Sequence, residues 1–236
     1  NVVATIDPAG DRIAVSTRQS GVDFSIGENG GTTAAQLGIR TLTEDVLLAE
    51  FNHGRGVHTA DGADFTIHRR DGTALAIDID GAQTLGDVVD LINNHIDNQD
   101  PLTRVAARLA LVGNGIELVD DNAAGTEPLR VERAFQSEAA YDLGLVPRGA
   151  QSSASPTVVG TSEVLTGNDP HPLEVRGAFN SLIRLYDAIQ AGDLPQIERA
   201  AALMEEDFQR VNFSRAEIGA RGRSLETLGD RLADEE

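Results

Sequence analysis

The residues of this chain that could carry out chemistry are few and scattered. The sequence contains five histidines, no cysteine and no lysine. The histidines are His53, His58, His68, His95 and His171. No two of them have the spacing of helical zinc ligands, and no thiolate could complete a zinc site. We therefore predict no metal site, no cofactor and no disulfide.

Two acidic stretches could suggest calcium. The first, Asp78-Ile79-Asp80-Gly81, alternates with the apolar residues Ile77 and Ile79, so its carboxylates should face solvent on a strand. The second is Asp120-Asp121. The acidic ligand that closes a twelve-residue calcium loop is absent, and we therefore predict no calcium site.

The motifs of common enzymes are also missing. A nucleotide-binding P-loop requires a lysine, which the chain lacks. No Gly-x-Gly-x-x-Gly follows a strand pattern, and no Gly-x-Ser-x-Gly elbow occurs. We therefore predict that the chain is not an enzyme and has no catalytic residues.

The charge of the chain restricts its partners. Nineteen basic residues, all arginine, stand against thirty-eight acidic ones, giving a net charge of −19. Such a chain has no electrostatic basis for binding nucleic acid or anionic lipid. No run of about 20 apolar residues could cross a membrane. We therefore predict neither a nucleic-acid nor a membrane partner.

The strongest pattern in the sequence is a long apolar row near its end, with alternating steps of four and three residues. This spacing is typical of a coiled-coil face, on a helix of roughly 50 Å. We predict an assembly interface there, formed by Ile197, Ala201, Met204, Phe208, Val211, Arg215, Ile218, Leu225 and Leu232, with Gly222 and Gly229 also in the row.

The row has too little cover within the sequence. The other helical pattern, residues 173–191, could cover less than half of it, so we expect a second chain or a further segment to pack there. Arg215 is either an arginine whose stem packs while its guanidinium reaches water, or a register-setting partner for a carboxylate. The glycines permit close approach of another helix, at a cost of ~1 kcal/mol each relative to alanine.

An internal repeat organises the rest of the chain. Residues 4–39 and 107–145 share the order of their apolar stretches, and each copy ends in a short Ala-Ala turn with Leu-Gly. The second copy follows a preamble, residues 58–99, that the first copy lacks. We therefore expect the sequence to begin within a module.

The complete module has readable elements. Alternation around Phe65–Ile67 and Leu75–Ile79 flanks an Asp71-Gly72 hairpin turn. Thr84 and Asp87 form a capping-box signature for a helix whose buried side should include Ile92 and Ile96. Strands follow at 105–111, 116–119 and 129–131. We predict an α+β fold, with one partial and one complete β-rich module carrying a short helix, followed by an α-helical hairpin with one long coiled-coil-like arm.

The domain boundaries follow from these patterns. We predict a partial first β module at 1–41, a connector at 42–57, the complete module at 58–146, a linker at 147–171 and a helical rod segment at 172–236. The linker is rich in Pro, Ser, Gly and Thr and shows no periodicity. In the rod, Gly192 should end the first helix, and Asp193 and Pro195 should begin the second.

Two stretches resemble the flagellin superfamily. The preamble, with its closing Ile92-Asn93 pair, resembles the flagellin hook "IN" motif. The run from Arg215 to Arg221, with Leu225-Glu226 and Arg231-Leu232 beyond, is similar to the C-terminal rod helix of that superfamily. The Gly-Ala-Arg form of this run is most similar to the superfamily's hook–filament junction proteins.

This resemblance implies a structural protein of the bacterial flagellum that joins hook to filament. It implies export through the flagellar type III secretion system, with an export chaperone, and assembly outside the cell. The implied partners are other subunits of the same protein, other hook-associated proteins and flagellin. Flagellin itself or a filament-cap protein remains an alternative. From another class, the chain could be a secreted, adhesin-like surface-binding module on a helical stalk.

Overall fold

The computed structural model describes residues 2–7 and 13–234 and confirms an α+β fold with a long helical arm. The described residues form two compact units. The helical unit contains residues 2–3, 16–22 and 174–234, and the β unit contains 4–7, 13–15 and 23–173. Most of the partial module therefore shares a unit with the complete one.

The β strands form four small sheets. One sheet has the strand order β10-β11-β8-β6, another has β5-β4-β9, and two-stranded sheets pair β1 with β2 and β3 with β7. The strands are β1 (Val2–Ile6), β2 (Ile13–Thr17), β3 (Glu28–Asn29), β4 (Phe65–His68), β5 (Ala74–Ile77), β6 (Val105–Leu109), β7 (Val112–Gly113), β8 (Ile116–Asp120), β9 (Arg130–Arg133), β10 (Thr157–Val159) and β11 (Ser162–Thr166).

The helices range from single turns to a rod of 41 residues. They are α1 (Thr33–Gln36), α2 (Phe51–Gly54), α3 (Leu85–Asn93), α4 (Ala139–Asp142), α5 (Ala178–Ala191) and α6 (Leu194–Asp234), with 3-10 turns at Leu48–Glu50 and Ile96–Asn98. Among the described residues, no helix combines the length and the apolar character that a membrane crossing requires.

The core of the β unit follows from the alternation seen in the sequence. Phe65 and Ile67 of β4 are fully buried, and they pair with Ile77 and Leu75 of β5 on the same face. The hairpin turn closes at Gly72, whose φ of 82° is favourable for glycine. Residues 42–57, predicted as a connector, also supply Leu42, Leu48 and Phe51 to this core.

The predicted capping box of α3 is present. The Thr84 hydroxyl accepts a hydrogen bond from the Asp87 N–H at 3.2 Å. The Asp87 carboxylate accepts the N–H groups of Gln83 and Thr84, both at 2.9 Å. These backbone hydrogen bonds hold the pKa of Asp87 below its usual value. The cap fixes where α3 begins, and Leu85, Val88, Val89 and Ile92 then fall on its buried side.

Replacing Thr84 by alanine should lower the free energy of unfolding by about 1 kcal/mol, because the N–H of Asp87 loses its acceptor. Urea unfolding followed by circular dichroism measures this loss. Thr103→Ala is a suitable control, since Thr103 lies outside the capping box. Equal losses in the two variants would contradict a stabilising cap.

The structure corrects the predicted linker at 147–171. This segment contains β10 and β11, and β11 pairs antiparallel with β8 so that Leu165 lies opposite Leu118. Leu165 is buried in the core. The sequence pattern missed these strands because Ser and Thr replace the apolar residues that usually reveal alternation, while the backbone hydrogen bonds with β8 do not depend on side-chain type.

Two helix boundaries also differ from the prediction. Helix α3 ends at Asn93, and Ile96, predicted on its buried side, is 81 % exposed in the following 3-10 turn. Helix α5 begins at Ala178 rather than near residue 173. Gly177 precedes it with a φ of 149°, a conformation that glycine adopts most readily and that lies outside the helical region.

Candidate functional site

The candidate site is the surface of the helical hairpin formed by α5 and α6. Gly192 ends α5 in the left-handed conformation, with a φ of 66°. Asp193 then accepts a hydrogen bond from the Gln196 N–H at 3.1 Å, and Pro195 lies in the first turn of α6. Gly192 and Asp193, both predicted from the sequence, therefore connect the two helices within two residues.

The two helices contact each other through small and polar side chains. Ala188 of α5 and Ala200 of α6 are buried. Ser181 donates a hydrogen bond to the buried carboxylate of Asp207 at 2.5 Å, and Arg210 pairs with the same carboxylate at 2.8 Å. The hairpin interface therefore uses few of the large apolar residues of either helix.

Glu174 holds the base of the hairpin together. Its carboxylate accepts hydrogen bonds from Arg184 of α5 at 3.0 Å and from Asn180 at 3.1 Å, and it also pairs with Arg199 of α6. Both arginines and Glu174 are mostly shielded from solvent. This ionic cluster fixes the pairing of α5 and α6, because breaking it would leave charges poorly solvated.

The predicted interface residues on α6 are largely uncovered. Phe208, Val211, Ile218 and Leu225 are 62 %, 53 %, 70 % and 69 % exposed. Ala201 and Arg215 are also exposed, whereas Ile197 and Met204 are half-buried beside α5. The side chain of Leu232 lies outside the described residues. The described part of the predicted row thus lies along one face of α6 that is half-buried at Ile197 and Met204 and exposed elsewhere.

The distal part of α6 has almost no cover within the described part of the chain. Between Asn212 and Gly229 every side chain is exposed except Gly219, which is half-exposed. From Arg210 to Arg223 the helix carries four arginines and one acidic residue, Glu217, which pairs with Arg221. This segment is locally basic in a chain whose net charge is −19.

Helix α5 adds an apolar surface that the sequence interpretation missed. As predicted, α5 covers part of the row on α6, since Ile197 and Met204 are half-buried beside it. The apolar residues of α5 itself, Phe179, Leu182, Tyr186 and Ile189, follow steps of three, four and three and are all about half or more exposed. The spacing signals an apolar face, but the sequence alone does not show that the α5–α6 contact uses the adjacent face with Ser181 and Ala188.

The two apolar faces meet in a groove. It has a volume of about 260 Å³ and is lined by Ala178 and Leu182 of α5 and by Met204, Phe208 and Val211 of α6, with Asp207 at its floor. A groove with an almost wholly apolar lining between two helices is suited to a further helix. Chemically, this lining is suited to contact with an apolar partner surface.

The Ile92-Asn93 pair of the β unit has a structural role that the sequence did not reveal. Ile92 is fully buried. The Asn93 side chain donates to the carbonyl of Ala107 at 2.9 Å and accepts the N–H of Ala107 at 2.8 Å. Asn98 makes the same two types of bond with Val105. The two side-chain amides therefore hydrogen-bond N–H and C=O groups of β6, which is an edge strand of its sheet. These hydrogen bonds protect the edge from pairing with a further strand.

The described histidines lie mostly beside single carboxylates. His58 Nδ1 is 2.7 Å from Asp142, and His68 Nε2 is 3.1 Å from Glu132. Among residues 2–7 and 13–234, the group of ligands that could surround a cation is Asp64, Asp78 and Asp80, whose carboxylates lie within 4.8 Å of one another.

Asp64 is used as an internal acceptor. It is fully buried, and its carboxylate accepts the N–H groups of Ala60 and Ile79, both at 3.0 Å, and the hydroxyl of Ser137 at 2.7 Å. Asp78 and Asp80 are exposed, while Ile77 and Ile79 are buried, as the alternation predicts. The carboxylate of Asp64 thus already has the partners expected of a buried acceptor.

Asp64→Asn should lower the free energy of unfolding by about 2 kcal/mol. The NH₂ group of the new asparagine would face at least one of the three groups that donate to the Asp64 carboxylate, and two donors cannot form a hydrogen bond with each other. Urea unfolding measures this, with the exposed Asp78→Asn as the matched control. We expect millimolar calcium to leave the melting temperature of the unmodified protein unchanged. A rise in melting temperature that Asp64→Asn abolishes would instead establish a calcium site.

Comparison of this chain with protein-family models, with curated proteins and with solved structures finds no match.

Proposed function

We propose that this chain belongs to a structural protein of the bacterial flagellum that joins hook to filament and assembles through α6. The observation that carries the proposal is the exposed apolar row of α6. Leaving large apolar side chains in water is unfavourable by roughly 1.5–3 kcal/mol each relative to burial. A row of this length is therefore best explained as an assembly surface.

The resemblance to hook-associated protein 3 supports the flagellar role. The run from Arg215 to Arg221 lies on the exposed distal part of α6, where contacts with other subunits would form. The stretch that resembles the IN motif belongs to the β unit, where Asn93 hydrogen-bonds the backbone of an edge strand. The proposed assembling helix and the β modules thus belong to different units of the chain.

The proposed partners follow from this role. They are other subunits of the same protein, other hook-associated proteins and flagellin, with an export chaperone before assembly and a final location outside the cell. The work of the protein is mechanical and involves no catalysis. Flagellin and a filament-cap protein are the alternatives within the superfamily.

A surface-binding module on a stalk has less support. Aromatic platforms are common where proteins bind glycans, and among the described residues of the β unit Phe135 is the exposed aromatic side chain. The remaining exposed aromatics, including Phe179, Tyr186 and Phe208, lie on the helical hairpin. The exposed binding surface therefore favours helix packing over glycan recognition.

Deletion of the gene that encodes this chain tests the proposal. We expect electron microscopy to show hooks without filaments and an assay to find flagellin in the medium. Complementation with the full-length protein should restore filaments, and complementation with a filament-cap protein should not. Normal filaments in the deletion strain would contradict the flagellar role.

A further inference from the structure

The exposed row on α6 can pack against the same row of a second copy when the two helices run antiparallel. Consider two copies of α6 running in opposite directions, related by a two-fold axis between Gln209 and Arg210. In this register Phe208 of one copy faces Val211 of the other, Ala201 faces Ile218, and Leu194 faces Leu225. Every pair joins two positions of the row or its apolar start, as knobs-into-holes packing requires.

The charges agree with this register. Arg215 faces Met204 and therefore lies next to Glu205 of the other copy. By symmetry this complementary contact occurs twice in the interface. Arg215, the one charged residue in the row, then sets the register.

The available area suits a stable dimer. Six large apolar residues are each 49–70 % exposed on this surface, namely Leu182, Leu194, Phe208, Val211, Ile218 and Leu225. Together they offer on the order of several hundred Å² per copy, comparable to the ~800 Å² that each partner buries in a standard interface. The groove of about 260 Å³ between α5 and α6 lies at the centre of this register. The opposing Phe208 and Val211 would enter it.

We propose that a second copy of this chain is the occupant of the groove, and that two copies form an isologous dimer through antiparallel α6 helices. This uses the exposed row on which the proposed function also rests, but it does not depend on the flagellar role. A chain that dimerises in this way and fails to restore filaments would contradict the proposed function alone.

Sedimentation of the full chain tests the dimer. We expect the mass to rise from 25.0 kDa towards twice that value between about 1 and 100 µM. The transition should shift to lower concentration as salt is raised above about 0.1 M, because the net charge of −19 makes the copies repel. A monomer at the highest concentration and salt would overturn the proposal.

Two variants on α6 show which face is used. Phe208→Asp should weaken dimerisation at least 100-fold, while Phe213→Asp should leave it unchanged. Phe213 is similarly exposed on the same helix but lies away from the row. Circular dichroism establishes that both variants fold. Dimers that survive Phe208→Asp, or that only Phe213→Asp removes, would refute the proposed face.

Single cysteines determine the direction, because the chain has no cysteine of its own. Ala201→Cys and Ile218→Cys should form a disulfide when the two variants are mixed and oxidised, and neither should cross-link alone. Cross-linking of each variant with itself, without the mixed product, would indicate parallel helices and overturn the antiparallel register.

Discussion

Ile218→Asp in the full-length protein should abolish assembly while leaving the β unit folded. Ile218 is 70 % exposed and lies in the distal part of α6, so the change should leave the packing of the described chain largely intact. In an assembly the same position would be covered by another helix. An aspartate there forfeits roughly 1.5–3 kcal/mol of apolar burial and adds the cost of desolvating a charge. At 1.4 kcal/mol per tenfold change, subunit affinity should fall more than about 100-fold.

The measurement is complementation of the deletion strain, with filaments counted by electron microscopy and secreted flagellin assayed in the medium. Phe208→Asp should behave like Ile218→Asp, since both residues belong to the row. Phe213→Asp is the matched control, because it places the same charge on the same helix outside the row. If the Ile218→Asp protein joined hook to filament normally, the row would not be the assembly surface.

Local sequence signals predicted those parts of the fold that depend on local interactions. The capping box at Thr84 depends on residues three positions apart, and the turn at Gly72 depends on a conformation that glycine favours. Gly192 and Asp193 similarly determined the connection between α5 and α6. In each case the stabilising partner lies within a few residues, so the signal can be read from the sequence.

Features that depend on distant partners were missed. Leu165 is buried because β11 pairs with β8, more than forty residues away in the sequence. Ser181 and Asp207 select which faces of α5 and α6 meet, although both residues are polar and carry no apolar periodicity. The row on α6 was predicted from spacing, but its exposure depends on that polar contact. The candidate site is therefore partly local and partly tertiary in origin.

The internal repeat is visible in the hydrogen bonds as well as in the sequence. The N–H of Leu37 donates to Thr33 and that of Leu143 to Ala139, at 3.0 and 2.8 Å. The N–H groups of the following glycines donate to Ala35 and Tyr141, at 3.0 and 2.9 Å. Gly38 and Gly144 have φ values of 65° and 75°. The two turns therefore have the same backbone geometry, although the atoms that surround them differ.

These surroundings predict different outcomes for the same substitution. Gly38→Ala places a Cβ in open space, so it should lose only the ~1 kcal/mol that a left-handed alanine costs. In Gly144→Ala the Cβ would lie 2.3 Å from the carbonyl oxygen of Asn168, a backbone atom that cannot rotate away. The Asn168 N–H also donates to the carbonyl of Gly144 at 2.8 Å, so any shift strains that bond. Overpacking adds 1–3 kcal/mol, giving a total loss of about 2–4 kcal/mol.

Urea unfolding of the two variants, followed by circular dichroism, measures this difference directly. The Gly38→Ala protein serves as the control for the backbone conformation, so the difference between the two losses isolates the contact with Asn168. Equal losses would mean that residues 144 and 168 separate at little cost. A loss at Gly144 larger by 2 kcal/mol or more would show that the close approach of these two backbone segments holds the α4 turn against the loop after β11.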